Sequence, residues 1–375
     1  MKLIKKIMTK IQPLLTPYKM GDLLLKNRLV IAPMTRSRCN NNENTPTNLQ
    51  VKYYTQRATA GLIITEGSQV SKQAVGYVNT PGIYSEAQVE GWKSVTDSVH
   101  KKGGKIFIQL WHVGRVSHPD FHNGALPLAP SAINPNSKSF TPNGFKDTVT
   151  PKEMTLGDIE TTVEEFKQAA INAKKAGFDG LEIHSSNGYL FHQFFNKCSN
   201  QRKDEYGGNI ENRTRFFFEV LDEISQVFPQ NRIGVRFNPS MHNIHGIDVD
   251  EETIPLFEYV IKKLNNYNIT YVHLSEPFTD VSKVSYAVQN IAKHFRPLYN
   301  GTLIINNNFN QEKGNTIIKE GLADLVAYGK LFISNPDLAE RFEKNAALAN
   351  WDVNTFYSDT GEKGYTDYPF YSEEL

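Results

Sequence analysis

The sequence has little cysteine, no excess of one charge and no long apolar run. Its 375 residues include two cysteines, Cys39 and Cys198. They lack the spacing of metal ligands, which argues against an Fe–S cluster, and two cysteines do not build a disulfide framework. The 41 basic and 40 acidic side chains leave a net charge of +1, so no strong field attracts nucleic acid. No apolar segment is long enough to span a bilayer, and we expect no membrane partner.

The N-terminus is basic. Lys2, Lys5, Lys6 and Lys10 interrupt the apolar run that a secretory signal peptide requires. We therefore predict a cytoplasmic protein with a basic arm at residues 1–13 and one domain at residues 14–375. Within that domain, residues 14–28 are short and mixed in polarity, and they are expected to form a cap.

Eight short apolar segments alternate with helical segments through most of the chain. Each is bounded by Gly, Pro or Asn and is too short for a stand-alone helix. The predicted strands are residues 29–32, 61–67, 105–112, 180–184, 232–237, 271–275, 302–306 and 325–330. The predicted helices are residues 47–60, 85–102, 156–176, 210–227, 251–264, 286–294, 313–320 and 336–345. This alternation predicts an α/β fold with a parallel sheet, and eight units predict a closed (β/α)8 TIM barrel.

Two features refine this architecture. A doubly wound open sheet normally has a glycine-rich turn after its first strand, whereas here the first strand runs into Pro33-Met34-Thr35-Arg36. After the third strand, residues 113–154 are rich in Pro, Asn, Ser and Gly and show no sustained periodicity. A loop of this length in a compact protein is usually a lid or a binding element. We therefore predict a barrel with a lid insertion at residues 113–154.

Three polar side chains follow the fourth predicted strand. His184 and Asn187 can donate hydrogen bonds toward one point, and Tyr189 carries a phenolic proton. Two neutral donors on one oxygen would polarise a carbonyl, and a nearby phenol could then protonate the adjacent carbon. The plainer alternative is a hydrogen-bonded core histidine beside a turn asparagine. The remaining strand ends favour catalysis, because active sites of (β/α)8 barrels are built there.

Those strand ends suit a flat heterocycle with many acceptors and a phosphate. Gln109 can donate and accept along an imide-like edge, and Thr35 can donate to a ring carbonyl. Arg236 can stabilise negative charge that develops on a reduced ring. In such barrels a phosphate often binds in the loops after strands seven and eight. Here these loops are residues 306–309 and Gly329-Lys330.

Two other enzyme classes compete with this interpretation. A metal hydrolase is suggested by five histidines: His112, His118, His122, His184 and His192. No pair of them has the spacing of a zinc protease, so we expect no metal. A (β/α)8 glycosidase needs two carboxylates across a sugar, and Glu66, Glu182 and Glu276 are present. However, Glu182 lies inside the fourth strand, where we expect it to pair within the barrel, and the seventh strand ends in asparagines.

Seven motifs between residues 32 and 369 are together highly specific, and the resemblance that they carry covers residues 14–369. They are Ala32-Pro-Met-Thr35-Arg, Gln109-Leu-Trp-His-Val-Gly-Arg115, His184-Ser-Ser-Asn-Gly-Tyr-Leu-Phe-His-Gln193, Asn200-Gln-Arg-Lys-Asp-Glu-Tyr-Gly-Gly208, Gly234-Val-Arg236-Phe, Gly329-Lys-Leu-Phe-Ile-Ser-Asn-Pro-Asp337 and Gly364-Tyr-Thr-Asp-Tyr-Pro369. With these motifs the chain resembles the old yellow enzyme family of FMN-dependent ene-reductases. Thr35 matches the branch of the family that has threonine, not cysteine, at this position.

The resemblance implies a non-covalent FMN cofactor and NADPH or NADH as reductant. Thr35 would hydrogen-bond the flavin carbonyl beside N5, Gln109 would hold the pyrimidine edge, and Arg236 would lie near N1. The ring would also touch Pro33, Met34 and Gly67, and the phosphate would be bound by Asn307, Asn308, Gly329 and Lys330. Two positions depart from the family pattern. Lys330 stands where arginine is usual, and lysine lacks the bidentate fork of arginine. Asn307 stands where relatives often have glycine, and asparagine tolerates positive φ better than most residues.

The resemblance also implies the reaction and its substrate. The C=C bond of an α,β-unsaturated carbonyl compound or another activated alkene would be reduced by ping-pong hydride transfer. His184 and Asn187 would hold the substrate oxygen, Tyr189 would donate the proton, and Trp111 and Tyr368 would line the substrate pocket. The partner is thus a small molecule, and the chain is expected to be a monomer or a homodimer. The alternative within this fold is a flavin-binding barrel without an ene-reductase role.

Overall fold

A small hairpin precedes the barrel and closes its lower end. The computed structural model describes residues 12–41, 43–357 and 361–372, so most of the predicted basic arm lies outside the described residues. After a 3-10 turn at Pro13–Leu15, strands β1 (Tyr18–Met20) and β2 (Leu23–Leu25) pair antiparallel. Met20, Leu23 and Leu25 are buried against the apolar interior of the barrel. Residues 14–28 therefore form the cap that the sequence predicts.

Eight parallel strands close into the barrel, which confirms the predicted (β/α)8 fold. They are β3 (Leu29–Ile31), β4 (Leu62–Gln69), β5 (Ile106–Trp111), β10 (Gly180–His184), β11 (Ile233–Phe237), β12 (Tyr271–Ser275), β13 (Leu303–Asn306) and β14 (Leu325–Tyr328). Each pairs with the next, and β14 closes the ring onto β3. The strands between β5 and β10 belong to the lid described below. The carboxyl ends of the eight barrel strands all lie at one rim, which is where barrel enzymes have their active sites.

Ten helices connect and surround the strands within the described part of the chain. They are α1 (Asn48–Gln56), α2 (Glu86–Lys101), α3 (Leu156–Lys175), α4 (Leu190–Phe195), α5 (Ile210–Ser225), α6 (Thr253–Leu264), α7 (Ile291–Phe295), α8 (Gln311–Lys319), α9 (Lys330–Ser334) and α10 (Leu338–Lys344). None of the described helices has the length and apolar character that crossing a membrane requires.

The helix starts show what local sequence can and cannot fix. Thr47 and Ser85, the first residues of two predicted helices, are the N-caps of α1 and α2, each within a capping box. The helix predicted from residue 156 begins there in α3, where Thr155 is the N-cap and Asp158 closes the capping box from the first turn. The helix predicted over residues 286–294 is shorter, since α7 begins only at Ile291.

Alternation along the strands divides the barrel interior into an apolar and a polar part. In β10, Leu181 and Ile183 pack against the surrounding helices, so Glu182 points inward. The lower interior is apolar and is filled by Val30, Leu62, Ile64, Phe107, Tyr271, Ile304 and Leu325. Toward the carboxyl ends the inward residues become polar, and Gln109, Glu182 and His273 are all buried there. Buried polar groups need partners, so this end of the barrel is where a site can be built.

The lid has regular structure that the sequence did not predict. Strand β6 (Leu128–Ala129) pairs with β9 (Lys152–Glu153), and β7 (Lys138–Thr141) forms an antiparallel hairpin with β8 (Gly144–Asp147). Pro142 and Asn143 form the turn, and Gly144 has φ +92°, a value that glycine adopts without strain. The division into arm, barrel and lid remains a prediction, but the segment after the third barrel strand is not a plain loop.

Candidate active site

A cavity of about 510 Å³ opens at the carboxyl ends of β3, β11, β13 and β14. Most residues that the sequence assigned to cofactor binding line it, and they come from four separate strand ends: Pro33, Met34, Thr35, Arg236, Asn307, Asn308, Gly329 and Lys330. Its volume lies within the usual range for small-molecule and cofactor sites. The fold thus assembles in one place residues that are nearly 300 positions apart in the chain.

The turn after β13 adopts the backbone that a close approach to a ligand requires. Asn307 and Asn308 have φ values of +79° and +60°, in the left-handed region that asparagine tolerates better than most residues. The Asn307 amide donates to the carbonyls of Glu276 (3.2 Å) and Pro277 (2.6 Å). These two bonds hold the turn, so asparagine supports here the backbone that glycine would adopt freely.

Gly67 and Gln109, the two remaining residues that the sequence assigned to the cofactor, lie side by side on β4 and β5 and are not among the residues that line this cavity. The Gln109 amide donates to the Glu182 carboxylate at 2.7 Å, and the other oxygen of Glu182 lies 2.9 Å from His273 Nδ1. The predicted internal pairing of Glu182 is therefore observed. A side chain at position 67 would lie 2.7 Å from the indole of Trp111, so only glycine lets this ring pack against β4.

Arg236 is buried and only weakly bonded to the protein. Its guanidinium lies 3.5 Å from the Ser275 hydroxyl, while Nε has no partner among the described residues. The same holds for Oδ1 of Asn306, which also lines the cavity. Burial lowers the pKa of Arg236 from its ordinary value, although a guanidinium remains charged in proteins.

These groups fit a flavin mononucleotide. Unpaired buried donors and acceptors call for a ligand with complementary polar edges, which the ring carbonyls and the N3–H of a flavin provide. Gly329 leaves room at the wall, because a side chain there would approach the sulfur of Met34 to 3.2 Å. Lys330 is exposed at the rim, with Nζ 5.9 Å from the ring of Trp351. Its ammonium is available to a phosphate as a point charge.

His184 and Asn187 stand together at the end of β10. Burial, followed by the charge of Arg236, lowers the pKa of His184 well below its usual value, so the imidazole is neutral. The Ser186 hydroxyl lies 3.1 Å from its Nδ1. When that hydroxyl donates, the proton of the ring is on Nε2, which can then donate to a ligand. The Asn187 carbonyl accepts from Asn238 at 3.3 Å, which leaves its amide hydrogens for the same task.

Tyr189 returns over His184 because the chain reverses between them. Asn187 and Gly188 both have positive φ, +58° and +78°. The Tyr189 ring then meets the rings of His184 and Trp111 edge to face, with centroids 5.0 and 5.1 Å apart. Burial raises its pKa well above the ordinary value of a phenol. The structure thus brings together four of the five residues that the sequence assigned to substrate binding and proton donation: Trp111, His184, Asn187 and Tyr189.

Tyr368, which the sequence assigns to the substrate pocket, is not among the residues that line the cavity at the strand ends. Arg36 donates to the carbonyl of Gly364 at 2.8 Å, and Tyr365 stacks on Tyr53 with centroids 4.1 Å apart. These contacts fix the last segment beside α1, and the Tyr368 hydroxyl accepts from the Asp352 amide at 3.1 Å. The tyrosine of this segment that lines the cavity is Tyr357.

Tyr77 and Tyr357 are among the aromatic residues at the site that sequence reasoning missed. Tyr77 stacks on Trp111 with centroids 5.2 Å apart and accepts a hydrogen bond from Tyr189. It lies in the loop after β4, and β4 runs to Gln69, two residues beyond the strand end that the sequence suggested. A longer strand carries the following loop closer to the rim. Tyr357 was missed because the C-terminal segment contains several tyrosines, and its sequence does not indicate which of them lies at the site.

The carboxylates needed by the competing enzyme classes are occupied elsewhere. Glu66 accepts from the Arg36 amide at 3.2 Å, Glu182 serves Gln109 and His273, and Glu276 accepts from the amides at the start of α7. No pair of these faces an open sugar-sized space. Among the described residues, no group of three or more His, Cys, Asp or Glu side chains is arranged to hold a metal ion.

Comparison with known proteins agrees with this site. Residues 13–349 match the model of the NADH:flavin oxidoreductase / NADH oxidase family. The chain belongs to the old yellow enzyme family. Its cofactor is FMN, its reductant is a nicotinamide, and its chemistry is the reduction of activated C=C bonds, which confirms the predicted reaction class.

Individual relatives cover almost the whole chain. It is 42% identical over 365 residues to 12-oxophytodienoate reductase 1 of Oryza sativa subsp. japonica, covering 96% of this chain and 94% of the relative. A solved structure of morphinone reductase in complex with tetrahydroNAD superposes with a TM-score of 0.90 at 41% identity, covering 96% of this chain and 99% of that one. The old yellow enzyme homologue from Zymomonas mobilis gives 0.90 at 36% identity, with 95% and 99% coverage.

Proposed function

We propose that this old yellow enzyme reduces α,β-unsaturated aldehydes and ketones with Tyr189 as the proton donor. The observation that carries the proposal is the packing of Tyr189 against His184, beside Asn187, at the end of β10. Two neutral donors and one protonated phenol thus stand close together at one strand end. When bound, FMN supplies hydride transfer between the nicotinamide and the β-carbon of the alkene.

His184 and Asn187 bind the carbonyl oxygen of the substrate. As the alkene is reduced, negative charge develops on that oxygen, and donors fixed in advance stabilise it without reorganising. A neutral imidazole suits this role, because it donates without transferring its proton to the oxygen. The low pKa of His184 keeps it in that form at neutral pH.

Tyr189 delivers a proton to the α-carbon. Its pKa is raised by burial, so the phenol is protonated at neutral pH and available as an acid. Trp111 and His184 contact the ring edge to face, which restricts the orientation of its hydroxyl. Orientation of this kind matters because a proton donor must lie within hydrogen-bond reach of the atom it protonates.

The cofactor is held by groups from six strands, β3, β4, β5, β11, β13 and β14. Thr35, Gln109 and Arg236 are the donors to the ring, and Asn307, Asn308 and Lys330 surround the phosphate. Pro33, Met34, Gly67 and Gly329 supply backbone and packing surfaces. Gln109 is the best oriented of these groups, because its bond to Glu182 (2.7 Å) fixes one amide hydrogen and leaves the other and the carbonyl for the ligand.

The names of the relatives suggest the range of substrates. They act on 12-oxophytodienoate and on morphinone by their printed names, and we extend to this chain the class that these share, an alkene activated by a carbonyl. The cytoplasmic location, the choice between monomer and homodimer and the preference for NADPH or NADH remain predictions from the sequence.

Purified protein tests the proposal directly. It should be yellow and should release FMN on denaturation, identified by chromatography against FAD. Enzyme reduced under anaerobic conditions should be reoxidised in a single turnover by cyclohex-2-enone, with formation of cyclohexanone. If FMN is bound and reduced by NADPH or NADH but no enone reoxidises it, the protein is a flavin-binding barrel without the proposed role.

A further inference from the structure

The amide of Asn187 has two ends, and only one of them can serve a substrate oxygen. Asn187 lies in the turn after β10, where its own φ is +58° and that of Gly188 is +78°. This turn sets where the side chain starts, but not which end of the amide faces a ligand. The last torsion of an asparagine is broad and roughly two-fold, and its two settings exchange the NH2 group and the carbonyl. A donor to an oxygen therefore requires a partner that selects one setting.

Asn238 is that partner. Its Nδ2 donates to Oδ1 of Asn187 at 3.3 Å, and this is the one side-chain hydrogen bond of Asn187 among the described residues. Asn238 directly follows Phe237, the last residue of β11, and β11 is the barrel neighbour of β10. While the Asn187 carbonyl accepts from Asn238, the NH2 group of the same amide is turned away from Asn238 and is free for a ligand.

The end of β11 provides a firm base for this contact. Before Asn238, the carbonyl of Arg236 accepts from the amide of Ser185 at 3.0 Å, which ties the ends of β10 and β11 together. After it, the hydroxyl of Ser240 donates to the carbonyl of Val288 at 2.8 Å and accepts from the Val288 amide at 2.9 Å. Asn238 lies between these two anchors, so its side chain starts from a fixed backbone.

The polar nature of Asn238 calls for an explanation. The residue is fully buried, and its Oδ1 has no hydrogen-bond partner within the described part of the chain. An unpaired buried carbonyl destabilises a fold, and an apolar side chain of similar shape would avoid that cost. The NH2 group accounts for the asparagine, because it bonds Asn187.

We propose that Asn238 is a positioning residue for the reaction, which holds the Asn187 amide with its NH2 group toward the substrate oxygen. The proposal rests on the proposed function, since Asn187 is taken there as one of the two donors to that oxygen. Asn238 acts through Asn187 and not on the substrate. Without Asn238, the Asn187 carbonyl would be free to face the substrate oxygen, and two acceptors would then oppose each other.

Two substitutions test the proposal on the FMN-loaded enzyme, by anaerobic stopped-flow reoxidation with cyclohex-2-enone. Asn238→Ala removes the donor and should slow reoxidation about five-fold, the scale of one neutral hydrogen bond. Asn238→Asp introduces an acceptor that would draw the Asn187 NH2 group away from the substrate. It should cost about 10²-fold, as the loss of an oxyanion donor does. Both losses should lie mainly in the limiting rate constant and less in the enone concentration at half-saturation, because charge on the oxygen develops during the reaction.

Double-mutant cycles show whether Asn238 acts through Asn187. In an Asn187→Ala background, Asn238→Ala should have no further effect on reoxidation. In a His184→Ala background, where Asn187 is the remaining donor, Asn238→Ala should keep its full cost. A residue that only supported the core would slow reoxidation alike in the native enzyme and in both backgrounds.

Asn172→Ala is the matched control for the loss of a buried amide. Asn172 is a buried asparagine of α3, and its amide likewise donates to an oxygen, the carbonyl of Ile83 at 2.8 Å. Its replacement should lower the melting temperature without slowing reoxidation. FMN content after gel filtration shows that each variant carries the cofactor.

The outcomes separate this inference from the proposed function. If cyclohex-2-enone does not reoxidise the native enzyme, or if Asn187→Ala reacts at the native rate, the proposed function fails at its oxygen site. If Asn187→Ala is slow but Asn238→Ala is not, or if Asn238→Ala costs the same in the Asn187→Ala background, Asn238 is not a positioning residue. An Asn238→Asp enzyme no slower than Asn238→Ala would overturn the inference as well, and Asn238→Ala alone decides it if the aspartate variant does not fold.

Discussion

The hydroxyl of Tyr189 donates a hydrogen bond to the hydroxyl of Tyr77 across 3.0 Å. Both phenols are neutral, and burial raises the pKa of Tyr77 to about 12. A hydroxyl can rotate, so the direction of this bond can reverse. When Tyr189 gives up its proton, Tyr77 can donate to the oxygen left behind. Tyr77 would then stabilise the negative charge on the proton donor without touching the substrate.

Replacing Tyr189 with phenylalanine should slow enone reduction and spare the earlier step. Tyr189→Phe keeps the ring and removes the acidic hydrogen, so reduction of the flavin by nicotinamide should be nearly unchanged. Loss of a general acid should cost on the order of 10²-fold or more in the oxidative half-reaction. Rapid mixing measures both half-reactions separately.

Two comparisons sharpen this prediction. Tyr77→Phe should cause a smaller loss, because the donor remains and only its support is removed. Nitroalkenes should be spared in Tyr189→Phe, because their nitronate products are stable enough to leave unprotonated. Equal losses for enones and nitroalkenes, or a collapse of flavin reduction, would mean that Tyr189 serves the structure and not proton transfer.

Removing both oxygen donors should affect substrate chemistry more than cofactor binding. His184→Ala with Asn187→Ala deletes two hydrogen bonds to the developing oxyanion, and the loss of one such donor typically costs about 10²-fold in rate. Stopped-flow reoxidation by cyclohex-2-enone measures the loss, and FMN content after gel filtration is the control. Reoxidation at the native rate in the double variant would show that the oxygen binds elsewhere.

Glu66 should make the protein less stable as the pH rises toward neutrality. Burial raises its pKa from 4.5 to about 7, so the folded protein holds this proton more tightly than the unfolded chain does. Between pH 4.5 and pH 7 the folded state therefore binds more protons than the unfolded chain, and the stability of the protein falls with increasing pH. The free energy of unfolding should fall by on the order of 3 kcal/mol as the pH rises from 4.5 to 7.

Glu66→Gln should remove this dependence. The amide oxygen can still accept from the Arg36 amide, and no charge develops as the pH rises. Urea unfolding should therefore show that the stability of the variant, relative to that of the native protein, is higher at pH 8 than at pH 5. Glu160→Gln on the exposed side of α3 is the control. A parallel pH profile for native protein and Glu66→Gln would contradict the assignment.

Lys330→Arg should tighten FMN binding several-fold. A guanidinium presents two parallel donors to a phosphate, whereas an ammonium acts as a point charge. The dissociation constant follows from the fluorescence of released FMN on dilution. Lys319→Arg, at the exposed end of α8, should leave it unchanged. A weaker or equal affinity for Lys330→Arg would place the phosphate away from this side chain.

The eight strands were predictable because each is a short apolar run bounded by turn residues. The polar strand ends followed from that pattern, since parity and the barrel rule place Gln109, Arg236 and His184 at one rim. These inferences need only local sequence and one general property of the fold. The turn at Asn307 was predictable in the same way, from the backbone tolerance of a single residue type.

The lid and the C-terminal segment were less predictable, because contacts distant in sequence decide their form. The hairpin β7–β8 is four residues per strand, and the Asn143-Gly144 pair in its turn region is a known hairpin signal that a search for longer periodicity passes over. Whether Tyr357 or Tyr368 reaches the site depends on Arg36, more than 300 positions earlier. No local pattern in the tail records that contact.

The clamp between Arg36 and the C-terminal segment has a consequence for how the protein matures in the cell. Arg36 bonds the carbonyls of Phe356 and Gly364, and Phe356 and Tyr357 form part of the cofactor cavity whose opposite wall is Pro33–Thr35. A ribosome adds on the order of ten residues per second, so Phe356 and Tyr357 are synthesised some tens of seconds after Pro33–Thr35. The barrel strands can all be synthesised before this cavity is complete, and FMN capture should follow synthesis of residues 356–364.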